Sequence, residues 1–153
     1  MAITSNDTFT SGQILTAQEC NNFPFGVVGS VTSNSGNVTV GVAAADISGM
    51  SITFTAIAGR TYKFNVMANA TSTIAQSFIY LTVTNASNGI LGSVYGNVGA
   101  NEYTSLCFSN FYTGIAAGSV TFKLRAQAAA ASATILRSGN DYLSFWIEDI
   151  GTA

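Results

Sequence analysis

The 153-residue sequence contains no histidine. That removes the usual proton-exchanging side chain near neutral pH and the commonest metal ligand. Ser-His-Asp and Cys-His catalysis within the chain go with it. Charge is scarce as well. Charged residues make up 8% of the chain, against about 25% in an ordinary soluble domain. A net charge of −2 supplies no basic field for a nucleic-acid backbone. The 2 cysteines, Cys20 and Cys107, are too few for a zinc site of the thiolate or Cys-His kind. They read as two separate small hydrophobes in a reduced compartment, with a disulfide as the less favoured alternative. No apolar run approaches the ~20 residues of a membrane helix. The opening residues, Met1 to Asp7, have neither the basic start nor the apolar stretch of a signal peptide.

What is present is apolar and neutral. Hydrophobic residues fill 48% of the chain, enough for one continuous core. Thr, Ser and Asn together occupy 48 of the 153 positions, so the surface is polar but uncharged. Such a surface repels its own copies weakly and suits a component of an assembly.

Period-two alternation dominates the body. Ile52, Phe54 and Ala56 share one face of a first run, and Tyr62, Phe64, Val66 and Ala68 one face of a second, with Gly59 at a tight reversal between them. Further strands are expected over Gln76–Asn85, before an "NASNG" turn, and over "GILGSVYG", Glu102–Phe111, Gly118–Ala128, "SATILR" and "YLSFWIEDI". "GVVGSVTS" and "NVTVGVAAAD" flank "NSG" and read as a hairpin. Eight to ten short strands at this spacing, with no helix long enough for a crossover, predict an all-β antiparallel sandwich or barrel. Residues 1–26 differ in character. Thr16-Ala17-Gln18-Glu19 forms a capping box for a helix of one or two turns, flanked by Phe9, Leu15, Phe23 and Phe25. A helix that short needs something to pack on.

The strand from Gln76 carries apolar groups on both sides: Phe78 and Tyr80 on one, Ile79, Leu81 and Val83 on the other. Trp146 opposes Leu143 and Phe145 in the same way. A two-layer sandwich buries only one face of each sheet. Exposed aliphatics of this size cost roughly 1.5–3 kcal/mol each relative to burial. Ile79, Leu81, Val83 and Trp146 are therefore expected at a subunit interface, with coverage by the N-terminal segment as the other solution.

Three stretches carry a resemblance. Phe9, Thr10, Gly12, Leu15, Thr16, Ala17 and Asn21, followed by the "GVVG" strand, resemble the opening of small structural proteins of tailed bacteriophages. Phe54, Thr55, Ala56, Ala58, Gly59, Arg60 and Tyr62 resemble a hairpin of the same proteins, and Glu148, Asp149, Ile150 and Gly151 their closing strand. Cys20 departs from the pattern, standing where Met, Leu or Val is expected. These proteins are similar to TNF/C1q-like jelly rolls. The resemblance implies a jelly-roll domain over residues 27–153 behind an arm of residues 1–26, and a homotrimer within a virion. The absence of a long shaft favours head decoration over a stand-alone fibre.

The remaining chemistry is sparse. Glu148 and Asp149 are adjacent on a strand and point to opposite faces, so a salt bridge or hydrogen bond to Arg60 or Arg137 suits them better than glycosidic cleavage. Asp46 and Asp141 read as turn formers. Tyr80, Tyr95, Tyr103 and Tyr112, with Trp146 and Asn side chains, read as core and interface packing, with a sugar-binding surface as the alternative. The expectation is a non-enzymatic capsid decoration protein without cofactor or metal. It would bind copies of itself and a major capsid or other virion protein, but neither nucleic acid nor membrane. Its contacts would come from Phe9, Leu15, Phe23, Phe25, Ile79, Leu81, Val83 and Trp146. The alternatives are a tail-fibre or spike domain that recognises a host glycan, and a secreted TNF/C1q-like or lectin-like module.

Overall fold

The structure is a computed structural model that describes residues 24–34, 36–130 and 133–152. Phe9, Leu15, Phe23, Cys20 and the capping box at Thr16–Glu19 lie outside the described residues.

Ten strands and no helix occupy the described residues. They are β1 (Gly26–Ser33), β2 (Val38–Val40), β3 (Ala45–Ala56), β4 (Arg60–Thr71), β5 (Gln76–Asn85), β6 (Ile90–Val98), β7 (Tyr103–Tyr112), β8 (Gly118–Ala128), β9 (Ala133–Leu136) and β10 (Leu143–Thr152). All pairings are antiparallel and nested. β1 pairs with β10, β2 with β9, β3 with β8, β4 with β7 and β5 with β6. The chain is thus one long ribbon doubled back at the turn between β5 and β6. There, Asn85 Oδ1 accepts from the amides of Ser87 and Gly89 at 3.0 and 2.8 Å. Folding the ribbon over itself adds the β10–β4 and β5–β8 pairings. Two sheets result, β1-β10-β4-β7 and β3-β8-β5-β6, with β9 and β2 continuing the first beside the far end of β4. This is the jelly-roll arrangement, so the expected all-β sandwich is what forms.

Two expected hairpins are not hairpins. β1 and β2 flank the "NSG" segment but pair with β10 and β9, because the nested order separates them. β3 and β4 do reverse at Gly59, whose φ of 78° favours glycine. Yet β3 lies in one sheet and β4 in the other. The turn is an arch across the core, and Tyr62 braces it by accepting from the Ile57 amide at 2.8 Å. The alternating faces around Gly59 therefore meet from opposite layers instead of lying side by side.

The core follows the period-two reading closely. Ile52, Phe54, Ala56, Tyr62, Phe64, Val66, Ala68, Phe122, Leu124, Ala126, Leu143, Phe145 and Ile147 are all buried. Its centre is aromatic. Phe54 sits 5.0 Å from Tyr62 and 5.7 Å from Phe122, and Phe64 sits 6.4 Å from Phe122, in tilted or edge-on contacts. Such pairs add about 0.5–1.5 kcal/mol each beyond the area they bury. Gly29 marks a close approach of the layers: a Cβ there would overlap Ile52 Cγ2.

The assignment of faces on β5 needs correction. Ile79, Leu81 and Val83 are wholly buried in the chain's own core, and Phe78, Tyr80 and Thr82 are the residues that look outward. The aliphatics fit the space between the sheets, whereas a tyrosine keeps its hydroxyl in water. Ile79, Leu81 and Val83 therefore supply no second apolar face for a neighbouring subunit. In urea denaturation, Leu81→Ala is expected to cost about 2–5 kcal/mol. Thr82→Ala, one residue on and on the other side, should stay within about 0.5 kcal/mol. Comparable effects for the two would contradict this register.

Candidate functional site

Alternation sends Asp149 inward and Glu148 outward on β10. Asp149 receives Arg60 Nε at 2.5 Å and Nη2 at 2.6 Å in a two-pronged pair whose side chains are only 2% and 1% exposed. The Gly151 amide donates to Asp149 Oδ1 at 2.9 Å. The Phe25 ring lies 4.1 Å from the Arg60 guanidinium carbon and covers the pair from outside, while remaining 53% exposed itself. Phe25 thus acts within its own chain, as a cap on the cation. The expected partnership with Arg60 is present for Asp149 but not for Glu148, and it ties the first residue of β4 to the end of β10. This pair is structural in character: a buried, fully bonded guanidinium–carboxylate offers no free group for catalysis.

The outward face of β1-β10-β4-β7 is built from the alternate residues. Register places Ser30, Trp146, Asn65 and Ser109 in one row across the four strands, and Thr32, Ser144, Met67 and Cys107 in the next. Glu148, Lys63 and Phe111 form a third. The only charges in these rows are opposite and adjacent: Lys63 Nζ lies 3.9 Å from Glu148 Oε2. Glu148 also accepts the Trp146 indole N–H at 2.9 Å. Trp146 is half-buried, as expected for a residue opposite the core. Around it Met67 and Phe111 are 52% and 56% exposed, Tyr103 stands open at the strand's start, and Cys107 is exposed as a free thiol. Asn65 is buried at the centre, and its Nδ2 has no acceptor. The face is therefore neutral and partly apolar, with one unsatisfied donor in the middle. Met67, Phe111 and Asn65 were not singled out from the sequence, although the alternation of β4 and β7 places them there.

The other outward face, on β3-β8-β5-β6, is polar and aromatic. It gathers two of the four tyrosines considered from sequence. Tyr80 and Tyr95 are cross-strand partners with ring centroids 5.5 Å apart. Tyr103 lies on the opposite sheet, and Tyr112 packs against core Phe122 at 5.7 Å. Asp46 is not a turn former. It sits on β3 and accepts from Lys123 Nζ at 2.7 Å and Arg125 Nε at 2.8 Å. Asp141 does close a turn, its amide donating to the Ser138 carbonyl at 3.3 Å, and its carboxylate accepts from Asn69 Nδ2 at 2.8 Å. Among the described residues no group of three or more His, Cys, Asp or Glu is placed to hold a metal ion.

No protein-family model matches the chain, and no curated protein matches its sequence. Solved structures do resemble its fold. One is the tripod from the baseplate of bacteriophage Tuc2009, at 16% identity and a TM-score of 0.44, covering 99% of this chain and 77% of that one. A family 35 carbohydrate binding module from Clostridium thermocellum follows at 14% identity and a TM-score of 0.37, covering 76% of this chain and 97% of that one. A chain of infectious bursal disease virus, Gx strain, is 13% identical with a TM-score of 0.36, covering 86% of this chain and 35% of that one. Likenesses this distant carry no argument about what the present chain binds or where it works.

Two outcomes test this account. Asp149→Ala leaves a guanidinium buried without its partner and is expected to cost about 3–5 kcal/mol in chemical denaturation. A loss near zero would show the pair to be hydrated. The second concerns Asp46, whose pKa is held below its ordinary 3.8 mainly by the hydrogen bond from Lys123, with Arg125 assisting. A lowered folded-state pKa means the pairing contributes stability above 3.8 and loses it as pH falls through the lowered value. Lys123→Met should raise the Asp46 midpoint toward 3.8 in an NMR titration. An unmoved midpoint would assign the effect elsewhere.

Proposed function

We propose that this chain is a non-enzymatic structural protein of a tailed-phage virion, a homotrimer that decorates the head. The observation that carries the reading is the outward face of β1-β10-β4-β7. Met67, Phe111 and Trp146 lie there on a surface whose two charges cancel, over a buried amide that lacks an acceptor. A second copy would cover the apolar groups and could offer a carbonyl or hydroxyl to Asn65 Nδ2 once that side chain turns outward. The three stretches that resemble phage structural proteins support the virion setting and the number three. The missing histidine and the sparse charge are consistent with a mechanical role, in which buried area and not a reaction does the work.

The assembly surface in this reading differs from the one expected from sequence. Ile79, Leu81 and Val83 belong to the core, so Trp146 alone of those four residues remains in it. Contacts to the capsid would fall to other surfaces.

Light scattering coupled to size exclusion is the direct test. The wild-type chain should elute as a trimer. Met67→Glu puts a carboxylate into the middle of the face and should yield a monomer with an unchanged far-ultraviolet spectrum. A wild type that stays monomeric at high micromolar concentration, or a Met67→Glu trimer, would overturn the assembly surface. Imaging of whole particles separates the settings: hundreds of copies on the head fit decoration, and a few at the tail fit a fibre.

A further inference from the structure

On the sheet turned away from that face, β8, β5 and β6 lie side by side, and their register sets three outward rows. Gln127, Tyr80 and Tyr95 form the first, Arg125, Thr82 and Ser93 the second, and Lys123, Thr84 and Ile90 the third. The middle strand carries short hydroxyl side chains in the second and third rows, while Arg125 and Lys123 on one side and Ile90 on the other are longer. The surface therefore sinks along β5 into a trough of about 320 Å³, with Thr82 and Thr84 on its floor and Tyr80 at one end. That volume lies at the low end of small-molecule sites.

We infer that this trough binds a neutral saccharide, one hexose unit seated over Thr82 and Thr84 with the chain continuing across Tyr80 and Tyr95. Three features select that chemistry. First, Thr84 lines the trough, and its side-chain oxygen, which is buried and has no hydrogen-bond partner, would meet a ligand once the side chain rotates toward the trough. A lone buried hydroxyl is costly unless a partner arrives, and it can either donate to or accept from a sugar hydroxyl. Second, Phe78, Tyr80 and Tyr95 run as a continuous aromatic strip, with centroids 4.7 and 5.5 Å apart, and Tyr95 is 64% exposed. A pyranose ring has one face of C–H groups and a polar rim, which matches flat aromatic area beside a polar hollow. Third, Arg125 in the trough wall and Lys123 beside it are already engaged. Arg125 donates to Asp46 and to the Ala44 carbonyl at 2.8 and 2.7 Å, and Lys123 to Asp46 at 2.7 Å. An anionic ligand would meet the Asp46 carboxylate already paired with both cations, whereas a neutral one meets no such repulsion. Gln127, held by the Val42 carbonyl at 2.8 Å, fixes the wall nearest the aromatic strip.

This inference does not depend on assembly through the opposite sheet, so a monomer that binds sugar and a trimer that does not are separately readable outcomes. The experiment is a titration of the full chain with lactose, maltotriose, cellotriose and chitotriose, followed by amide chemical shifts, with a sulfated disaccharide as the charged control. At least one neutral sugar should give saturable shifts on β5, β6 and β8. Tyr95→Ala and Tyr80→Ala should each weaken that sugar about tenfold, a loss of about 1.4 kcal/mol. Thr84→Val keeps the shape and removes the hydroxyl, so it should weaken binding without lowering the unfolding midpoint. Absence of saturable shifts with all four neutral sugars would overturn the site. So would affinity unchanged in both tyrosine variants, or binding of the sulfated control alone.

Discussion

Each long strand of this protein has one face committed to a single shared core, and the register of pairing decides which face that is. Side chains alternate along a strand, so a slip of one residue would exchange the inner and outer sets completely. The core residues Ile79, Leu81 and Val83 on β5 belong to one buried cluster with Phe122 and Leu124 of the neighbouring β8 and Phe64 of the opposite sheet, and their burial holds the register. Everything functional on the outside is then a by-product of that choice. Tyr80, Thr82 and Thr84 face out because their neighbours face in. Trp146, Met67 and Phe111 face out for the same reason on the other sheet.

The nested pairing explains how distant residues come to cooperate. A ribbon doubled at Asn85–Gly89 places each strand beside the one equally far from the other end of the series. β1 and β10 are the paired strands farthest apart in sequence, so their pairing is a costly long-range closure. The Arg60–Asp149 pair sits where such a closure needs help. It joins the strand leaving the Gly59 arch to the final strand of the chain, and Phe25, just before β1, covers it. A buried pair of this kind contributes little net stability but strongly disfavours arrangements that separate its members. Its role is better described as selecting the arrangement than as strengthening it.

Much of this was legible in sequence, because alternation is a local property. The strands around Gly59, the strand from Gln76, the "NASNG" turn, the core face of β8 and the opposed directions of Glu148 and Asp149 all follow from a period of two. Two kinds of information were not local. Which strand pairs with which depends on closure of the whole ribbon, so the "NSG" segment looked like a hairpin and the Gly59 reversal like a turn within one sheet. Which side of a doubly apolar strand turns inward depends on the opposite layer. On β5 the distinction was chemical: aliphatic Ile79, Leu81 and Val83 on one side, and rings, one with a hydroxyl, on the other. Weighing polar handles as well as apolar area would have chosen correctly. The trough escaped notice because it is a difference in side-chain length between neighbouring strands, and their neighbourhood is itself non-local.

The two outward faces carry different chemistry, and that difference bears on what each can contact. The face of β1-β10-β4-β7 has apolar side chains, one cancelled charge pair and an amide awaiting an acceptor, a composition that favours contact with protein. The face of β3-β8-β5-β6 has hydroxyls, an amide, an aromatic strip and a fixed ion network around Asp46, a composition that stays hydrated until a small polar ligand displaces water. Because a sandwich has its faces back to back, association through the first leaves the second exposed. Copies joined by one sheet would present several identical troughs outward. Weak single contacts with a sugar would then combine, since a second trough on the same assembly meets its ligand at high effective concentration. A neutral surface with few charges suits this arrangement, because neither kind of contact relies on fields that salt would screen.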